Sequence, residues 1–180
     1  MTEPQKSRRN ILLGAGAMGF TAFAAACTPC EPTAAGSAEL SSADRLEIAE
    51  LYSRHFYSLD GLTAMFGGQA DRNWADTFAA DGEFAMVRAN GDTLATARGT
   101  AELVKQYATF HHPTRHWMNH LLIRADESGI RGGCYILALD IQDMPYRIYR
   151  TGLYEDQLVQ VDSAWKFQSR RLILDPGSPD

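Results

Sequence analysis

The sequence predicts an α+β domain on three observations. Apolar residues recur at helical spacing in the first half of the chain, and long stretches suited to strands fill the second half. The breaks between those stretches are only as long as hairpin turns, so the sheet they form is mostly antiparallel. A curved sheet wrapped over the first helix would enclose a cone-shaped cavity.

The elements follow in order. Ser41 and Asp44 have capping-box spacing, and Ile48, Leu51, Tyr52, His55, Phe56 and Leu59 then recur at helical intervals. This predicts one amphipathic helix over residues 42–59, ended by Asp60-Gly61. Trp74 and Phe78 suggest a short second helix. Asp81-Gly82 reads as a turn, GEFAMVRA as a strand, Asn90-Gly91 as a hairpin turn and TLATAR as its returning strand. Residues 100–110 suit a third helix that Pro113 cannot continue. Residues 114–125, 130–142, 145–161 and 164–174 each read as a strand. The domain is expected over residues 42–176, with 177–180 as a tail.

The chain has 180 residues, 45% hydrophobic and 22% charged, which is ordinary globular composition. A chain of this size buries roughly 70% of its extended surface, enough for a core with an internal pocket. A net charge of −5 argues against a nucleic-acid partner. Three cysteines are too few for a disulfide scaffold.

The first segment reads as an address. Arg8-Arg9 precede a Gly- and Ala-rich apolar stretch from Ile11 to Ala26, the pattern of a twin-arginine signal peptide over residues 1–27. Gly14, Gly16 and Gly19 disfavour a buried helix there, each by about 1 kcal/mol against Ala. The expected destination is the periplasm. Ala24-Ala25-Ala26-Cys27 suits a small-residue cleavage site and also resembles a loose lipobox. Cys27 is therefore a lipidation candidate, and a lipid there would be the sole membrane attachment. Residues 28–41 read as a disordered tether.

His112, His116 and His120 are spaced by four, which on a helix would suit a metal. Pro113 and the strand-like RHWMNHLLI oppose that, since four strand residues span roughly 13 Å, too far to share one ion. No metal site is expected. In a strand His116, Met118 and His120 share one face, with Trp117 and Asn119 on the other. His55 on the first helix reads first as a hydrogen-bonded core residue, Asp60 as a turn residue and Cys134 as core. Arg170 and Arg171 could pair with acids at a pocket rim or lie in solvent.

The order DRLEIAELYSRHFYSLDG, WADTFAADGEF, ARGTAELV, TRHWMNHLLI and TGLYEDQLVQVDSAWKFQSRRLIL resembles the SnoaL-like branch of the nuclear-transport-factor-two-like superfamily. The resemblance covers about residues 42–175. It implies a cone of three N-terminal helices on a strongly curved sheet, with the pocket inside. Some members of that superfamily, among them scytalone dehydratase, bile acid 7-alpha-dehydratase and hexachlorocyclohexane dehydrochlorinase, are lyases or isomerases needing no cofactor. Their pattern places working groups at Asp60, in YSLDG, and His116, in TRHW. It makes His55, Tyr135 and Tyr154 pocket-wall positions, although many members have Tyr where this chain has His55. Tyr57, His55 or Tyr135 would donate to a departing group, and Met118 and His120 would share the face of His116.

The expectation is thus a cofactor-independent lyase of the dehydratase or elimination type. His116 is its general base and Asp60 the orienting partner. The substrate would be a small hydrophobic cyclic or aromatic molecule. The alternative is a non-catalytic periplasmic small-molecule-binding or assembly module of the same fold. The resemblance also implies a homodimer or homotrimer through the outer sheet face. Trp165, Phe167, Tyr146 and Tyr149 are compatible with such an interface or with packing on the helices.

Overall fold

In the computed structural model, residues 39–110 and 113–179 are described. The export segment 1–27, Cys27, most of the tether, and His111 and His112 lie outside the described residues. The elements run α1 (Ser42–Leu59), α2 (Ala70–Ala75), β1 (Phe78–Val87), β2 (Thr93–Arg98), α3 (Gly99–Tyr107), β3 (Thr114–Asp126), β4 (Gly129–Asp140), β5 (Arg147–Val161) and β6 (Ala164–Leu174). The strands form one sheet in the order β2-β1-β6-β5-β4-β3, curled but unclosed. Every neighbouring pair is antiparallel except β1 with β6. This is an α+β cone, with β2 and β3 as its open edges.

Local chemistry sets both ends of α1. The Ser41 hydroxyl accepts from the Asp44 backbone N–H, and the Asp44 carboxylate accepts from the Ser41 N–H. Asp44 also accepts from the Trp165 indole on β6 at 3.1 Å, which seats the start of the helix on the sheet. At the other end Leu62 N–H donates to Tyr57 and Gly61 N–H to Ser58, the two bonds of a Schellman turn. Gly61 takes φ +73°, a left-handed value that disfavours a side chain, and leaves Asp60 as the capping residue. The stripe from Ile48 to Leu59 is buried against the curled sheet.

Asp81-Gly82, expected as a turn before β1, lies inside it. The register of β1 against β6 shifts between Phe78 and Glu83, so the turn signal became an irregularity in a longer strand. Residues 177–179, expected as a tail, are tied down. The Ser178 hydroxyl accepts from Thr151 N–H and donates to Thr151 C=O, and Arg150 Nε donates to Pro179 C=O. Among the aromatics weighed for an interface, Phe167 is fully buried in the core and Trp165 half-buried. Tyr146 remains exposed.

Two polar clusters lie inside the core. In the first, Trp74 Nε1–H donates to His55 Nε2, His55 Nδ1–H donates to Thr77 Oγ1, and the Thr77 hydroxyl donates to Trp74 C=O. The circuit closes only if His55 is neutral with its proton on Nδ1. Burial, then the charge of Arg170 and the neighbouring His116, hold its pKa well below the ordinary value. In the second cluster Arg170 and Asp156 are wholly buried, 3.3 Å apart, and the Tyr52 hydroxyl donates to Asp156 at 2.5 Å. The Arg170 guanidinium lies over Tyr154 at 3.8 Å and Phe167 at 4.3 Å. Gly132 is required opposite, because a Cβ there would overlap the Tyr52 hydroxyl. The Cys134 thiol, pushed up to about 11 by burial, is core.

An unfolded His55 takes a proton near pH 6.5, whereas the folded one resists it until well below. Its contribution to stability is therefore present above about pH 6.5 and lost as the pH falls. Asp156 acts oppositely, because burial raises its folded carboxyl to about 6. Ring NMR therefore separates the two. At pH 5.5 the His55 ring signals should remain those of the neutral Nδ1–H tautomer, and imidazolium signals there would refute the closed circuit. Asp156→Asn should cost about 3–5 kcal/mol in denaturant unfolding, because it strands a buried guanidinium. A loss below about 1 kcal/mol would mean that the pair is not holding this part of the core.

Candidate active site

The Schellman turn leaves the Asp60 side chain pointing at β3, the edge strand, where it is only 4% exposed. Its Oδ1 accepts from His116 Nδ1 at 2.5 Å, and its two oxygens accept from the His116 backbone N–H at 3.1 and 3.2 Å. Arg115 Nε stands 3.7 Å away. Because a carboxylate can only accept, the contact places the His116 proton on Nδ1. In the neutral ring Nε2 then carries the lone pair, and it makes no hydrogen bond among the described residues. Phe56 stacks beside the ring at 6.0 Å, so the imidazole has one packed face and a fixed orientation.

His116 lines a cavity inside the cone. Leu59, Trp74, Phe84, Met86, Phe110, Ile136, Ala138 and Leu172 make its apolar wall. Thr114, Tyr149, Arg150 and Tyr154 complete it. Burial pushes the Tyr154 hydroxyl up to about 12, so this phenol keeps its proton at neutral pH. The free space is about 30 Å³. That is room for one or two waters, well short of the 300–1,000 Å³ of a typical ligand pocket. A ring enters only if side chains at the mouth give way. Among the described residues no three His, Cys, Asp or Glu side chains gather as metal ligands.

The structure brings Asp60, His116 and Tyr154 to this place and leaves the other expected site residues elsewhere. Tyr57 is 41% exposed and packs edge-on against Phe66, because its position on α1 lies off the buried stripe. Tyr135 is 57% exposed, since on β4 its neighbours Cys134 and Ile136 take the inner face. His120 also lies outside. A bulge between Asn119 and Leu122 puts it at φ +54° and breaks the alternation, so it faces Tyr135 at 5.5 Å. His55 is buried but belongs to the Trp74–Thr77 circuit and does not line the cavity. Met118 packs half-buried against the core without lining it.

Arg170 and Arg171 part company. Arg170 enters the core, while Arg171 pairs with Glu155 at 3.1 Å on the exposed side. Strand alternation signals that they differ, yet only the sheet's curl decides which one is buried. Sequence reasoning missed Tyr149 and Arg150 as cavity residues. The register of β4 with β5 shifts at Ala138/Leu139, so Tyr149 is an extra residue between Arg150 and Ile148, and such an insertion has no sequence signal.

A family described as SnoaL-like domain matches residues 41–171. No curated protein matches the chain. Among solved structures, a protein of unknown function with a cystatin-like fold from Nostoc punctiforme is 26% identical. Its match covers 78% of this chain and 98% of that one, with a TM-score of 0.61. A Catenulispora acidiphila protein in complex with S-DNPA is 25% identical over 74% of this chain and 95% of its own, with a TM-score of 0.58. An NTF2-like protein with a cystatin-like fold from Novosphingobium aromaticivorans is 19% identical. It shares the fold over 76% and 84% of the two chains at a TM-score of 0.62.

Proposed function

The chain belongs to the SnoaL-like domain family, and from that membership and the cavity chemistry we propose a lyase of the dehydratase or elimination type. The observation that carries this reading is the Asp60 carboxylate on His116 Nδ1 at 2.5 Å, with the imidazole lining an apolar cavity. His116 Nε2 removes a proton from carbon. The electron pair of that C–H bond becomes the new C=C bond, and the group on the adjacent carbon leaves with its own bonding pair. Asp60 holds the tautomer and stabilises the imidazolium as it forms. Tyr154, which keeps its proton, donates to the departing oxygen or halide. These steps are redox-neutral and use only this chain's side chains. The substrate is a small hydrophobic cyclic or aromatic molecule, and the relative that holds S-DNPA supports a small-molecule role. The protein acts in the periplasm as an exported homodimer or homotrimer.

The narrow cavity favours a second reading, a non-catalytic binding or assembly module. Turnover by variants separates the two. Against a substrate found by screening small alicyclic and aromatic alcohols and halides, folded His116→Gln should lose about 10²–10⁴ in rate. Asp60→Asn should lose activity while still binding, since it spoils the tautomer and leaves the wall intact. Full turnover in either folded variant rules out the dyad mechanism. Ligand binding with no turnover in the wild type, across the whole screen, decides for the binding module.

A further inference from the structure

Among the described residues one cationic residue, Arg150, belongs to the cavity wall, and a strand irregularity puts it there. On β5, Tyr154, Gly152 and Arg150 occupy alternate, inward positions. Beyond Arg150 the next residue, Tyr149, is the extra residue of a bulge. Arg150 pairs with Ala138 while Ile148, not Tyr149, pairs with Leu139. Bulges re-aim side chains, and here two consecutive residues, Tyr149 and Arg150, both line the cavity that holds His116. Ile148 is turned outward.

Among the described residues the guanidinium is positioned but has no acidic partner. Its Nε donates to the Pro179 carbonyl at 3.1 Å, and its plane lies 5.0 Å from the Tyr149 ring centre. Both contacts fix orientation, and neither partner carries a charge. The two terminal nitrogens meet no carboxylate within 4.0 Å among the described residues. Buried or half-buried arginines elsewhere in this domain do have one: Arg170 has Asp156 and Arg115 approaches Asp60. Arg150 is the sole Lys or Arg on the cavity wall among the described residues, and no Asp or Glu lines it. A planar cation with two free donor nitrogens at an apolar cavity suits a carboxylate.

We infer that Arg150 is a specificity residue and that the substrate is a carboxylic acid bearing a ring. The ring lies against the apolar wall, the carboxylate takes the two terminal nitrogens of Arg150, and the reacting C–H faces His116. This rests on the lyase reading for the His116 step, but the anion-recognition claim is tested by binding alone.

Calorimetry on the full chain with benzoate and with neutral benzamide provides the test. Benzoate should bind at least about tenfold tighter than benzamide, as expected for a charge-assisted bidentate pair, and Arg150→Gln should equalise the two. His116→Gln should keep the preference while losing turnover, so failure of the base assignment and failure of the anion site give different patterns. Equal affinities in the wild type, no benzoate binding, or a preference that survives Arg150→Gln would each overturn the inference. Should Arg150→Gln not fold, NMR contacts in the wild type decide. Magnetisation transfer between benzoate protons and the Met86 and Ala138 methyls supports the site, and its absence refutes it.

Discussion

The end of the first helix is joined to the free edge of the sheet by a single carboxylate. Asp60 accepts from both the backbone and the ring of His116, so one side chain caps the contact between α1 and β3 and also orients an imidazole. Edge strands lack a strand neighbour on one side, and α1 supplies contacts to β3 there, this one and the bond from Arg45 to Ile123 C=O. The proposed chemistry therefore depends on an interaction that is structural in its own right. The Schellman turn at Asp60-Gly61 comes first, because it ends the helix where the Asp60 side chain reaches β3.

Behind that contact the core carries more polarity than a small domain usually admits, and each polar group has a distinct answer to desolvation. His55 answers by remaining neutral within a closed hydrogen-bond circuit. Asp156 and Arg170 answer by pairing, with Tyr52 as an added donor and aromatic faces around the guanidinium. Some polar atoms of that pair remain unsatisfied, Asp156 Oδ1 and Arg170 Nε among them. Buried pairs of this kind contribute little net stability but penalise the loss of either partner heavily. They also hold Tyr52 and Tyr154 in place, and Tyr154 is where this cluster meets the cavity.

The cavity itself is narrow, apolar and asymmetric, with an imidazole and a guanidinium among its few polar lining groups. Its width is set by bulky side chains from almost every element, Trp74, Phe84, Phe110 and Tyr154 among them. Tyr149 and Arg150 are only partly covered. Arg150 and the adjoining Thr151 also bind Pro179 and Ser178.

Much of the architecture was legible because its signals are local. The Ser41–Asp44 box, the Asp60-Gly61 stop, the Asn90-Gly91 hairpin and the alternation of the late strands each act within a few residues. They specified α1 to its boundaries and β2 and β6 likewise. Asp60 and His116 were singled out through family resemblance, since neither carries a strong local signal. What the sequence could not determine arises from pairing between distant segments. The parallel match of β1 with β6 and the bulges opposite Ala138 and after Asn119 belong to no single segment. Parity counting assigns faces correctly until one residue is inserted, and then every later assignment inverts. That is why His120 turned outward, why Arg150 and Tyr149 both face the cavity, and why only the folded sheet could show it.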